Sequence, residues 1–335
     1  MKENNRKNVL VIGGTGIVGR PTVLRLIEGG EYIVHSIALD CIQTFPESVR
    51  QHIVDRTTDE YIKLITELTS EVGTWDAVID IIAFNIEAAK TTYSLLKDHS
   101  KHIVILSTTL VYDRMQKNDD PITENTFLAH KGDFGGYVDG KVELEKFWHT
   151  VSDVNWTIVR PYHILGGGSL LGCIPEHNRD PHLIDLLKGG ILLKLFKGGE
   201  TQFNYIHSKD VAAAFCHIIG NTRTFCQAYN LVNPDIITAK EYYAEIARQV
   251  GGSLIIEDIS IEKIWNDKKG WEMTTFPHIY SMDKMRRDIS FTPRISLNEA
   301  ISDAITHPSE NTSRAIPVHD RMNKLPHPNR PTWLE

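Results

Sequence analysis

Val9-Leu10-Val11-Ile12-Gly13-Gly14-Thr15-Gly16-Ile17-Val18-Gly19 is the stretch whose reading decides the fold. An unbroken apolar run, rich in β-branched residues, reads as a strand buried on both faces, as in a parallel sheet. Glycines at 13, 16 and 19 follow at once. They permit a tight turn, close approach of the backbone to a ligand, and close packing of the next helix. A helical segment over residues 21–28 comes next. Its N-terminus offers free N–H groups and the positive end of a dipole to a phosphate. Strand, glycine turn and helix in that order form a seat for a dinucleotide pyrophosphate, the alternative being an ordinary strand–helix turn. Gly13, Gly16, Ile17, Val18 and Gly19 are therefore expected to line a cofactor.

Outward from that turn, strand and helix patterns alternate. Strands are expected at 9–12, 32–39, 52–54, 77–82, 102–107 and 156–160, with helices at 21–28, 59–70, 86–97 and 137–150. This βα alternation predicts an α/β, Rossmann-like, doubly wound parallel sheet. Past Arg160-Pro161 the pattern loosens into a glycine-rich stretch with a helix at 182–187 and a strand at 204–206. A helix at 208–219, capped by its opening Ser208-Lys209-Asp210, a seventh strand at 228–232 and a helix at 238–250 follow. The expected organisation is a nucleotide-binding domain over 1–165, to which 202–232 return, and a smaller substrate lobe from 166–201 and 233–306. Residues 307–335, rich in Pro, Asn and charge, read as an extended tail.

The 335 residues are enough for a large core, and the formal charge of −7 argues against general affinity for nucleic acid or an anionic membrane surface. The sequence lacks the long apolar run that a membrane-spanning helix needs. The polar start, Met1 to Asn8, leads straight into the first strand with no signal peptide, so a cytoplasmic protein is expected. Four scattered cysteines make no disulfide framework. Cys173, His177 and His182 are neighbours in sequence, but no second ligand pair accompanies them, and no metal is expected.

Three further features carry chemistry. Tyr137 and Lys141 are four apart on a helix and so share a face. A free phenol titrates near pH ~10 and is a poor base, but a neighbouring ammonium stabilises the phenolate. Ser107-Thr108-Thr109 closes the fifth strand, where open α/β sheets bind ligands, and a hydroxyl there can bond a substrate oxygen. Asp55 follows the third strand and suits an adenine amino group, although an ion pair with Arg56 serves it equally well. Asp40 follows the second strand, 21 residues after Gly19, where a carboxylate binds ribose hydroxyls and repels a 2′-phosphate. NAD is expected in preference to NADP.

Taken in order, these pieces resemble the extended short-chain dehydrogenase/reductase family of sugar-nucleotide epimerases, dehydratases and reductases. The resemblance covers about residues 8–305. It is carried by the glycine turn, Leu106-Ser107-Thr108-Thr109-Leu110-Val111-Tyr112, Tyr137 to Lys141, Arg160-Pro161-Tyr162, and Tyr205-Ile206-His207-Ser208-Lys209-Asp210-Val211-Ala212. It implies Thr108, Tyr137 and Lys141 as the catalytic set, with Arg160-Pro161-Tyr162-His163 on the nicotinamide side. Asp55, Arg56, Ala83, Pro161 and His163 would be further cofactor contacts. The segments around Asp55-Arg56 and 203–215 are most similar to the branch that includes chloroplast stem-loop RNA-binding proteins. Members that remove water from the sugar carry Asp-Glu directly after the strand-end Thr; Thr109-Leu110 stand there instead, so 4,6-dehydration is disfavoured. The resemblance implies hydride transfer at a carbinol carbon of a sugar nucleotide, as an epimerase or a dehydrogenase/reductase. Alternatives are a non-sugar carbonyl substrate in secondary metabolism, or a non-catalytic cofactor- or RNA-binding protein. His177, Arg179, His182, Lys188, Lys194 and Lys197 of the substrate loop suit a nucleotide diphosphate or a solvated surface equally. A homodimer through the helices at 86–97 and 137–150 is implied by the resemblance.

Overall fold

The structure is a computed structural model that describes residues 6–114, 121–172, 182–267 and 275–308. The first part runs β1 (Lys7–Ile12), α1 (Gly19–Glu28), β2 (Tyr32–Ala38), β3 (Val49–Ile53), α2 (Asp59–Val72), β4 (Ala77–Asp80), α3 (Ile86–Leu96), β5 (Ile103–Leu106), α4 (Gly136–Thr150) and β6 (Trp156–Pro161). Then come β7 (Ile164–Leu165), α5 (Leu183–Lys188), β8 (Leu193–Phe196), β9 (Gln202–Phe203), β10 (Ile206–His207), α6 (Ser208–Ile218) and β11 (Gln227–Leu231). The chain continues through β12 (Ile237–Thr238), α7 (Ala239–Val250), β13 (Ile256–Ile259), α8 (Ile261–Asp267), α9 (Asp283–Ile289) and α10 (Leu297–Thr306).

Seven strands form one parallel sheet in the order β11-β6-β5-β4-β1-β2-β3. The direction of winding reverses at β1, between β2 and β4, which opens a crevice at the carboxyl ends where the glycine turn sits. Alternate side chains of each strand serve opposite layers. Val9, Val11 and Ile79 pack with Val23 and Leu26 of α1, Phe215 and Ile218 of α6 and Met285 of α9. Leu10, Val78 and Ile105 pack on the other face with Tyr61 and Ile65 of α2, Ala89 and Leu96 of α3, and Leu144 and Trp148 of α4. Burial on both faces is why these strands read as continuous apolar runs rather than alternating ones. A separate core in the smaller lobe joins Leu183 and Leu187 of α5, Leu193 and Leu195 of β8, Tyr242, Tyr243 and Ile246 of α7, and Ala300 and Ile301 of α10.

Two local expectations are corrected. The strand expected at 204–206 is split into β9 and β10. Asn204 breaks the ladder by turning its amide to the carbonyls of Asn233 (3.0 Å) and Asp235 (3.1 Å) while accepting from the Tyr280 N–H (2.7 Å). The cap of α6 is His207, whose Nδ1 accepts from the Lys209 N–H at 3.0 Å. Ser208 is already helical, and Asp210 accepts from the backbone of Arg294 and Ile295 at 3.1 and 3.0 Å. Helix α10 opens with a capping box, Ser296 and Glu299 bonding each other's backbone, a Ser-x-x-Glu signal that periodicity alone passes over.

Helices α3 and α4 lie side by side, and much of their apolar surface is spent inside the chain. Glu87, Lys90, Ser94, Lys146 and His149 are exposed on them. Among the described residues no helix is long and apolar enough to cross a membrane, and no group of three or more His, Cys, Asp or Glu is placed to hold a metal ion. Cys173, His177, Arg179 and the stretch 309–335 of the expected tail lie outside the described residues.

Candidate active site

The glycine turn is built by exclusion. Gly13 has φ +95°, and the N–H groups of Gly13 and Gly14 both donate to the Ile37 carbonyl at 2.7 and 3.2 Å. A Cβ on Gly14 would stand 2.1 Å from Ser36 Oγ, and one on Gly19 only 1.9 Å from the Gly13 carbonyl oxygen. Gly16 differs: the nearest atom to its absent Cβ is 3.8 Å away, so this side of the turn is open. Val18, at the N-terminus of α1, makes no side-chain cap, and the first turn holds no acidic residue. A helix start left without an internal cap, beside an open glycine face, is the environment a pyrophosphate fits. At the far end, Thr15 Oγ1 donates to Asp40 Oδ1 at 2.7 Å, which brings Asp40 to the turn. Leu39 and Ile53 are 60% and 62% exposed at the ends of β2 and β3, an apolar platform suited to an aromatic base.

The residues after β3 divide. The Asp55 carboxylate accepts from the Thr57 N–H at 2.9 Å and the Thr57 hydroxyl at 2.8 Å, both on Oδ1, and the backbone bond above all holds its pKa below the ordinary value. Arg56 is not its partner. The Arg56 guanidinium turns inward and donates to both oxygens of Asp80 (2.8 and 3.2 Å), the Ala88 carbonyl (3.3 Å) and Thr92 Oγ1 (3.3 Å). Its described bonds thus tie the β3–α2 loop to β4 and α3.

The strand-end hydroxyls divide in the same way. Ser107 Oγ donates to Glu145, and Thr109 Oγ1 donates to the Pro161 carbonyl at 3.4 Å. Thr108 caps the 3-10 turn Thr109–Val111 by accepting from the Leu110 N–H at 3.2 Å. That bond uses an acceptor lone pair and leaves the hydroxyl proton to donate.

Tyr137 sits in the first turn of α4, after Gly135 in a positive-φ conformation (φ +90°). Its ring is partly buried, 6.4 Å from that of Phe84. Lys141, one turn on, is buried, and its Nζ donates to the carbonyls of Ala83 and Leu106 at 2.6 Å each. Burial lowers its pKa to about 8. Gly140 makes this possible: a Cβ there would stand 2.5 Å from the Phe84 carbonyl oxygen, so only glycine lets α4 approach the end of β4. Lys141 thereby ties the start of α4 to the carboxyl ends of β4 and β5, beside Thr108.

The Arg160 guanidinium turns inward. It is buried and paired with Glu145, with Nη2–Oε2 at 2.5 Å, and donates to Tyr112 Oη at 2.8 Å, which in turn donates to Asn230 at 2.6 Å. Burial opposes its charge, but Glu145 and Tyr112 outweigh that and raise its pKa. Of the neighbours that follow, Tyr162 stacks on His278 (4.4 Å, 15°), and His163, at φ +41°, packs edge-on against Phe203 and Tyr242. In the substrate loop His182, Lys188 and Lys197 are exposed and Lys194 is partly buried. Sequence reasoning missed Ser36, Phe84 and Glu145, whose parts depend on neighbours distant in sequence; Gly140 was a legible signal, a glycine inside a helix beside the Tyr–Lys pair.

A parallel sheet with a glycine turn at its switch point, and a buried lysine bonded to the carbonyls of Ala83 and Leu106 beyond two of its strands, mark a dinucleotide-binding fold of the Rossmann class. The chain belongs to the NAD dependent epimerase/dehydratase family, whose model matches residues 9–231; it is an enzyme, and its cofactor is NAD. It is 22% identical over 273 residues to UDP-D-apiose/UDP-D-xylose synthase 2 of Arabidopsis thaliana, covering 71% of this chain and 69% of the relative. It is 24% identical over 287 residues to UDP-glucose 4-epimerase of Halalkalibacterium halodurans, covering 75% and 83%. Among solved structures, an epimerase from Methanothermobacter thermautotrophicus shares the fold, with a TM-score of 0.72 at 16% identity over 92% of this chain and 94% of that one.

Proposed function

We propose that this enzyme transfers a hydride at a carbinol carbon of a sugar nucleotide, with Tyr137 as the acid/base. NAD, when bound, supplies the hydride acceptor. Tyr137 takes the hydroxyl proton, Thr108 donates a hydrogen bond to the same oxygen, and the Lys141 ammonium favours the phenolate. The observation that carries the reading is the anchoring of Lys141 between the Ala83 and Leu106 carbonyls, which brings the start of α4 to the strand end that presents Thr108. The UDP-sugar chemistry named in both relatives supports a sugar nucleotide as the substrate class. Thr109 and Leu110 carry no carboxyl group beside Thr108, which favours epimerisation or simple oxidation and reduction over dehydration. Pairing of two copies through α3 and α4 would set charged residues such as Glu87, Lys90 and Lys146 into the contact, making it sensitive to salt.

The test is a panel of UDP-, GDP- and dTDP-sugars against simple ketones, run with the wild type and Tyr137→Phe. The expected result is turnover of a nucleotide sugar that falls by about 10²-fold or more in the variant while NAD binding is kept. Full activity in Tyr137→Phe would remove the acid/base assignment, and turnover of ketones alone would remove the substrate class.

A further inference from the structure

Loop 166–168 passes beside the glycine turn at Ile17. The absent Cβ of Gly168 would stand 3.6 Å from Ile17 Cγ1, in ordinary van der Waals contact with the residue that opens the way into α1. Ser169 closes the loop on itself, its Oγ accepting from the Gly166 N–H at 3.1 Å and its N–H donating to the Gly166 carbonyl at 2.9 Å. The N–H groups of Gly167 and Gly168 are held from outside, by the C-terminal end of α10. Asp303 Oδ2 accepts from the Gly167 N–H at 2.9 Å and bonds His207 Nε2 at 3.1 Å. Asp303 Oδ1 meets Lys209 Nζ at 3.3 Å and His307 Nδ1 at 3.2 Å. The His307 carbonyl accepts from the Gly168 N–H at 2.7 Å.

His207 is held in one tautomer by this arrangement. Its Nδ1 accepts the backbone N–H of Lys209, so Nε2 carries the proton and donates to Asp303. The loop also passes close to the start of α6: a Cβ on Gly166, at φ +138°, would stand 2.5 Å from Ser208 Oγ. One carboxylate thus joins three separated pieces of chain, namely α10, the start of α6 and the glycine loop. Asp303 is 136 residues from Gly167.

We propose that Asp303 is a positioning residue for NAD: through Gly167 and the adjoining His307–Gly168 bond it holds the 166–168 loop as a strap over the glycine turn, and so slows cofactor release. The inference rests on the reading of the glycine turn as the cofactor seat. Asp303 itself touches no reacting group, so it acts on retention and not on the chemical step.

The experiment is stopped-flow release of NAD from the purified enzyme, comparing wild type, Asp303→Asn, Asp303→Ala and Gly16→Asp, with far-UV circular dichroism on each. The expected result is NAD release faster by about fivefold to tenfold in the two Asp303 variants, with kcat at saturating NAD unchanged. Gly16→Asp, which sets an anion on the open side of the turn, is expected to abolish NAD uptake. Unchanged release in folded Asp303→Ala, with uptake lost in Gly16→Asp, would overturn the strap while leaving the seat in place. NAD uptake by Gly16→Asp equal to the wild type would overturn the seat itself and the strap with it. Hydrogen exchange in the wild type needs no variant: the Gly167 and Gly168 amides are expected to open together with the last turn of α10, and fast exchange there beneath a protected α10 would overturn the proposal.

Discussion

Lys141 shows how one buried charge serves two ends. Folding holds its pKa at about 8, below the ordinary 10.5, through burial first of all. The folded state therefore binds this proton less readily than the unfolded chain. Below pH ~8 the protonated lysine is carried at a cost, and that cost fades as the pH rises toward the unfolded value. Between pH 7.5 and 9.5 the wild type should recover about 2 kcal/mol at this site, a slope that Lys141→Met lacks. Urea titrations of both proteins at several pH values check the difference. Thr108 supports a second prediction. Thr108→Ala removes the hydroxyl expected to face the substrate and should lower kcat by about 10²-fold with NAD affinity unchanged, whereas Thr108→Ser should retain most of the activity. Steady-state kinetics with NAD titrations separate the two effects, and equal losses in both variants would place the hydroxyl outside the reaction. The resemblance implied Thr108 among Ser107, Thr108 and Thr109, but nothing in the local sequence gave a reason for the partition. Three adjacent hydroxyls look alike until Glu145 claims the first and the Pro161 carbonyl the third.

At the scale of elements, the glycine turn separates packing glycines from one that faces open space. A Cβ on Gly19 would lie inside contact distance of the Gly13 and Gly14 backbone, whereas one on Gly16 meets nothing closer than 3.8 Å. Gly19→Ala should cost about 3 kcal/mol through overpacking against backbone that cannot retreat, while Gly16→Ala should stay within about 0.5 kcal/mol of the wild type in stability. Chemical denaturation of the two variants checks this, and similar losses in both would mean that the turn is not packed as described. The strand–turn–helix unit was legible because each signal lies within about a dozen residues. Helix α6 shows the limit of local reading: Ser208-Lys209-Asp210 has the composition of a cap, yet His207 takes that role and Asp210 serves the backbone of Arg294 and Ile295.

For the whole molecule, a bound cofactor adds to the stability of the fold. NAD at a hundredfold excess over its Kd should stabilise the folded chain by about 2.7 kcal/mol by mass action, seen as a rise in melting temperature of several degrees. At equal concentration NADP should give a smaller rise, because its 2′-phosphate meets Asp40 at the end of β2, and Asp40→Ala should narrow the gap. A thermal-shift series with both dinucleotides checks this, and equal shifts in the wild type would remove Asp40 from the ribose site.

The sequence by itself determined the parallel sheet and the strand, glycine turn and helix that open it, because apolar periodicity and glycine spacing act over a few residues. Tertiary structure alone decided which charges are committed to the interior. Arg56 goes to Asp80 and Arg160 to Glu145. A buried charge takes whichever partner the packed layers bring within bonding distance, and that distance is a property of how helices and strands stack, not of spacing along the chain.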